Sequence, residues 1–110
     1  MPANVRAASE GLLYRDFIMV GLLLRDFKLK DAGGRIQDNW IYLQEPEILA
    51  GRMQIFNNWS PYLVADPETT WVGVEYFCNE ADDLWRRSDG DLSALAASEL
   101  ETIEIGRAHV

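Results

Sequence analysis

The run Thr70–Phe77, TWVGVEYF, constrains this chain more than any other segment. Six of its eight residues are β-branched or aromatic, the composition of a strand on a pleated, packed surface. One glutamate, Glu75, interrupts it. Because strand side chains alternate, Glu75 shares a face with Trp71, Gly73 and Phe77. A carboxylate in that company must be paired, neutralised, or open to a polar cavity. Arg52, at the head of another strand-like run, is the partner that would satisfy it as a structural ion pair. The other reading is a cavity-lining acid that orients a substrate.

The rest of the chain can be placed around this strand. Asn4–Leu13 reads as a short helix capped by Asn4, with Val5, Ala8 and Leu12 on one face. Tyr14–Leu24, YRDFIMVGLLL, ends in a continuous apolar run with β-branched members. A strand buried on both faces suits it, and a continuation of the first helix competes, since periodicity does not separate the two. Lys28–Asn39 is a polar turn region around Gly33-Gly34. Trp40–Gln44 alternates as a strand, with Trp40, Tyr42 and Gln44 on one face, and Pro46 ends the segment. Arg52–Asn58 alternates again. Asn57–Thr69, with Pro61 and Pro67, is a long loop of the kind that tends to carry function. A final helix runs from Asp89 to about Ile103, opened by Ser88 and Asp91 in a capping-box pattern. Its apolar stripe is Leu92, Leu95, Ala96, Leu100 and Ile103. Helix, four strands and helix, with short polar connections, predict an α+β fold built on a mostly antiparallel sheet.

At 110 residues the chain can hold one small domain. Its net charge of −8 repels phosphate backbones and argues against nucleic acid as a partner. Most of the late acidic run, Glu80 to Glu104, reads as solvated surface. Asp82, Asp83, Asp89 and Asp91 lack calcium-loop spacing, so no metal site is expected. A single cysteine, Cys78, allows no internal disulfide and fits a reducing cytoplasm. The longest apolar run, Phe17–Leu24, is too short for a bilayer span, which takes about 20 residues as a helix. The N-terminus has no signal-peptide core.

Candidate site residues cluster in the middle of the chain. Arg52 could clamp an anion with its planar fork, pair with Glu75, or face solvent. Asn58 and Ser60, beside Asn57 in a loop stiffened by Pro61, could contact a ligand or cap the backbone. Trp40 and Tyr42, with Trp59, Trp71 and Tyr76, could form an aromatic wall or simply fill a core. Cys78 has no base nearby in sequence and reads as a buried, inert thiol. No nucleotide-binding glycine loop, P-loop, paired-cysteine motif or nucleophile elbow is present.

The end of the chain reads differently. After Glu104, Ile-Gly-Arg-Ala-His-Val is similar to one reading frame of a common short-read sequencing adapter. On that resemblance residues 104–110 are expected to be a non-native tail. It contains His109, the chain's one histidine; without it there is no Ser-His, Cys-His or His-metal chemistry.

Three pieces, YRDFIMVGLLL, DNWIYLQEPEILAGRMQIFNNWSPYLV and WVGVEYFCNEADDLW followed by SDGDL, carry a further resemblance in their succession. Together they resemble the middle of bacterial FAD-dependent oxidoreductases of the amine-oxidase and protoporphyrinogen-oxidase type. The resemblance implies that residues 1–103 are a fragment of the substrate-binding domain of a larger two-domain flavoprotein. Its sheet would lie over the isoalloxazine ring where a small-molecule substrate sits. The FAD-binding domain would be supplied by the missing parts of the same chain, so this fragment alone is expected to be inactive and not to retain FAD. Arg52, Asn58, Ser60 and Glu75 match positions expected to face or support the cavity, with no catalytic role assigned. A UDP-galactopyranose-mutase-like flavoenzyme is the alternative of the same architecture. An autonomous small binding module with an aromatic cleft is the alternative of another class. A fragment would expose the sheet face meant for its missing domain and tend to self-associate.

Overall fold

The computed structural model describes residues 1–108; His109 and the reading placed on it lie outside the described residues. The fold is α+β, as the pattern predicts. A five-stranded antiparallel sheet has the order β4-β5-β6-β1-β7, where β1 is Asp16–Phe27, β4 Trp40–Tyr42, β5 Arg52–Ile55, β6 Thr70–Cys78 and β7 Gly106–Ala108. A separate hairpin pairs β2, Lys30–Asp31, with β3, Gly34–Arg35. Gly34 sits at φ 111°, a conformation that side-chain-bearing residues rarely adopt, which explains a glycine in this turn.

From Asp16 on, the segment Tyr14–Leu24 is strand rather than helix, and the strand continues to Phe27. β1 pairs with β6 from Asp16↔Cys78 to Leu24↔Thr70, so its apolar run lies along the clearest strand of the sequence. Its β-branched residues and its long pairing with β6 outweigh a helical continuation, but the strand is buried on one face only and not on both as expected, since Phe17 and Met19 alternate outward and are exposed. Ile18, Val20, Leu22 and Leu24 face the core, alongside Val72, Val74 and Tyr76 of β6 and Met53 and Ile55 of β5. Against this layer lies helix α4, Asp89–Thr102, burying Leu92, Ala96, Glu99 and Leu100. Ser88 caps it, its hydroxyl accepting from the Asp91 N–H at 3.1 Å.

Several boundaries differ from the sequence reading. Strand β5 stops at Ile55, and Phe56–Trp59 turns into one helical turn, α2, followed by a 3₁₀ turn at Pro61–Leu63. Asn57 drives the change, since its side chain accepts from the Trp71 N–H and donates to the Thr69 carbonyl, tying the turn to the start of β6. The N-terminal helix α1 is Ala3–Glu10, begins after Pro2 rather than on an Asn4 cap, and buries no residue. The acidic segment after β6 contains a further helical turn, α3, Asp83–Arg86.

Helix α4 ends in a Schellman motif. The Ile105 N–H reaches the Leu100 carbonyl at 2.9 Å and the Glu104 N–H the Glu101 carbonyl at 3.1 Å. Glu104 takes the left-handed position, φ 58°, and Ile105 is buried beside the core. The chain then runs into β7, beside the far end of β1, so part of the tail singled out in the sequence takes a place in the sheet. No helix among the described residues is long and apolar enough to cross a membrane.

Candidate functional site

One face of the sheet packs on α4; the other carries the candidate site. The register sets out two rows across it. Tyr42, Arg52, Glu75 and Met19 form one row over β4, β5, β6 and β1, and Trp40, Gln54, Gly73 and Gly21 the next. Phe17 and Phe77, a directly opposed pair, extend the first, and Leu23 and Trp71 the second. Trp40, Tyr42, Phe17, Met19 and Phe77 are all exposed. Four of the six expected site residues, Trp40, Tyr42, Arg52 and Glu75, are therefore neighbours on this face.

At its centre Arg52 and Glu75 form a two-pronged ion pair. Arg52 Nε donates to Glu75 Oε2 at 2.6 Å and Nη2 to Oε1 at 2.8 Å, while Gln54 Nε2 adds a third donor to Oε2 at 3.3 Å. The guanidinium also lies 5.7 Å from the centre of the Phe77 ring. The Arg52 hydrogen bond holds the Glu75 carboxyl below its ordinary range, against the opposing pull of burial. The same bond pushes Arg52 upward. Glu75 is thus a fully engaged carboxylate, as the ion-pair reading required, and what it leaves facing outward is one edge of a fixed guanidinium among aromatic rings.

Two close approaches shape the face. A Cβ on Gly73 would stand 2.7 Å from Phe56 Cζ and 3.0 Å from Met19 Sδ, so the Phe56 ring lies down across the second row. A Cβ on Gly51 would stand 2.7 Å from the Phe77 ring. Trp40 stacks on Trp59 with centroids 5.5 Å apart, which folds α2 against the edge of the wall.

The other two expected site residues are used on the backbone. Asn58 Nδ2 donates to the Ile36 and Asp38 carbonyls, fastening the hairpin region to α2. Ser60 Oγ accepts from the Tyr62 N–H and caps the 3₁₀ turn. Tyr76 and Cys78 face away from the site, toward the core. Burial, with the Asp82 and Asp16 charges, raises the Cys78 thiol above its ordinary value.

The sequence reading missed a second buried carboxylate. Glu99 accepts from the Leu49 and Ala50 N–H groups and from the Tyr76 hydroxyl at 2.7 Å. Burial first, then this bond, raises Tyr76 above its ordinary value. The signal was present, because Glu99 lies three residues after Ala96 and seven after Leu92, on the apolar stripe of α4. No cluster of three or more potential metal ligands occurs among the described residues.

No protein-family model, curated protein or solved structure matches this chain.

Proposed function

We propose that this chain forms one wall of a ligand cavity in a flavin-dependent enzyme. The particular kind is an FAD-dependent oxidoreductase of the amine-oxidase and protoporphyrinogen-oxidase type, with the chain as part of its substrate domain. The observation that carries the reading is the outward face of the sheet, where the exposed rings of Trp40, Tyr42 and Phe77 stand with the half-buried Arg52, itself fixed by the buried Glu75. Such a face suits a flat ring system and its substrate, with a few placed polar groups among aromatics. These residues do not fit FAD by themselves. The strand-to-helix junctions, β5 to α2 and β6 to α3, carry no glycine-rich turn for a pyrophosphate. In this reading the cofactor is held by the FAD-binding domain of the parent protein, and the flavin supplies the redox chemistry. Arg52 positions substrate, Glu75 holds Arg52 in place, and the aromatic rings exclude water.

The test is to read the source locus upstream of Met1 and to expose the 110-residue chain to FAD. An in-frame G-x-G-x-x-G strand–helix unit upstream, with no FAD retained by the chain alone, is the expected result. A ribosome-binding site and stop codon directly before Met1, or stoichiometric FAD on the isolated chain, overturns the proposal.

A further inference from the structure

Among the described residues, strand β1 has one edge that is paired only at its far end. Its twelve residues pair with β6 on one side from Asp16 to Leu24, whereas on the other side β7 pairs only with Leu24, Asp26 and Phe27. Among the described residues no strand covers Asp16–Leu23 on that side, a stretch of roughly 27 Å at strand rise. Beside it runs a groove of about 290 Å³ between Ile18–Gly21 and Asp89, Leu92 and Ser93 of α4. Natural edges are shielded by lysine, proline, bulges or a covering element. The run Phe17–Leu24, FIMVGLLL, carries no charge and no proline, and the one register shift lies beyond it, between Leu24 and Asp26.

We infer that this edge is the joint of a two-fold dimer, in which β1 pairs antiparallel with β1 of a second copy. The edge is its own complement. Two edges can face each other, run antiparallel and keep both cores on one side only about an axis normal to the sheet, so each residue meets one of its own facing parity. With the axis at Val20, Ile18 meets Leu22 of the second copy, Met19 meets Gly21, and Phe17 meets Leu23. From Phe17 to Leu23, short of Leu24 where β7 begins, every opposed pair is apolar and no like charges face one another across the ladder. The two copies of β7 then flank the joint at either end, and two five-stranded sheets join into one. A basic extended peptide is the competing occupant, but it has no such match along the whole run. The α4 N-termini, each with Asp89 beside the groove, approach on the core side of the joint. Their repulsion makes this dimer tighter as salt rises, the reverse of a joint held by ion pairs.

This inference does not depend on the flavoenzyme reading, and its test separates the edge from the aromatic face. Sedimentation of the 110-residue chain at moderate salt gives a monomer–dimer equilibrium. Gly21→Lys, at a position where a new Cβ meets nothing within 4 Å, puts two cations at the joint and raises the dissociation constant roughly tenfold or more. Circular dichroism confirms that the variant folds. The double variant Trp40→Ser/Tyr42→Ser, on the open face at β4 and three strands from the edge, leaves the constant unchanged. Val20→Cys cross-links through itself under oxidant, since opposed residues in an antiparallel pair have Cα atoms within disulfide range, and Phe17→Cys does not. A monomer at all concentrations overturns the inference. So does a dimer that ignores Gly21→Lys, yields to the open-face variants, or fails to cross-link at residue 20.

Discussion

Glu99→Ala is the most informative single perturbation of the core. The carboxylate collects three donors from two other segments: the Leu49 and Ala50 N–H groups on the approach to β5, and the Tyr76 hydroxyl in the middle of β6. Tyr76 is wholly buried and Ala50 nearly so, whereas Leu49 is exposed and its N–H can turn to water. Removing the acceptor therefore orphans two buried donors. At about 1–3 kcal/mol for each unsatisfied group, the expected loss is roughly 2–6 kcal/mol. A domain of this size has only about 5–15 kcal/mol in total, so the loss is a large share.

Tyr76→Phe should cost only about 1 kcal/mol, because it deletes the donor and leaves Glu99 with its two N–H partners. In the double variant only Ala50 is orphaned, so the double loss should fall short of the sum of the two single losses by about 2–4 kcal/mol. Urea unfolding of the four proteins measures this, with midpoints shifting at constant slope. If Glu99→Ala costs less than about 1 kcal/mol, or the two losses simply add, the account of Glu99 as a shared buried acceptor is wrong.

Four shorter predictions follow from the same geometry. The folded pKa of Glu75 lies below its unfolded value, so its contribution to stability is complete above the ordinary carboxylate range and is lost as pH falls through the folded value. The melting temperature should accordingly drop more steeply on acidification in the unsubstituted chain than in Glu75→Gln; parallel profiles would refute it. Gly73→Ala should destabilise by about 1–3 kcal/mol, because the new methyl meets the Phe56 ring, and Phe56→Leu should restore part of the loss in a thermal melt. Glu104→Gly should stabilise by about 1 kcal/mol, since glycine takes the left-handed helix cap without strain, and no gain in the urea midpoint counts against that cap. Cys78 should react with iodoacetamide only on unfolding, its thiol being buried and its pKa raised; fast labelling of the native chain would show the strand end to be open.

What could be read from sequence and what could not divides along physical lines. The partnership of Arg52 with Glu75 was legible because a charge in a strand must be answered, and Arg52 was the cation that strand alternation could bring to it. The strand within Tyr14–Leu24 was favoured by its β-branched residues, but its one-sided burial was not legible, since a continuous apolar run shows no alternation to mark the open face. The ends of β5 and the folding of Asn57–Thr69 depended on Asn57 bridging to Thr69 and Trp71, a contact across the loop that no local propensity reveals. Strand β7 was missed for a similar reason, since Gly106 reads as a helix stop while the left-handed turn falls on Glu104.

The two buried carboxylates belong to one device. Successive residues of β6 serve opposite faces, Glu75 outward to Arg52 and Tyr76 inward to Glu99. The segment between their partners is Leu49 to Arg52. Its start is held by Glu99 through the Leu49 and Ala50 N–H groups, its middle by the Gly51 N–H on the Glu75 carbonyl at 2.9 Å, and its end by the Glu75 carboxylate on the Arg52 side chain. Within that short span the chain has little freedom left, so the guanidinium on the open face is positioned from the core side of the sheet as well as by its own partner. Loosening Glu99 should therefore reach the face it does not touch. In Glu99→Gln, a milder change than the alanine variant, the Arg52 Nε–H resonance should shift and exchange faster while the Trp40 indole, on the far strand, stays where it was. An unmoved Arg52 resonance would mean that β6 alone positions the pair.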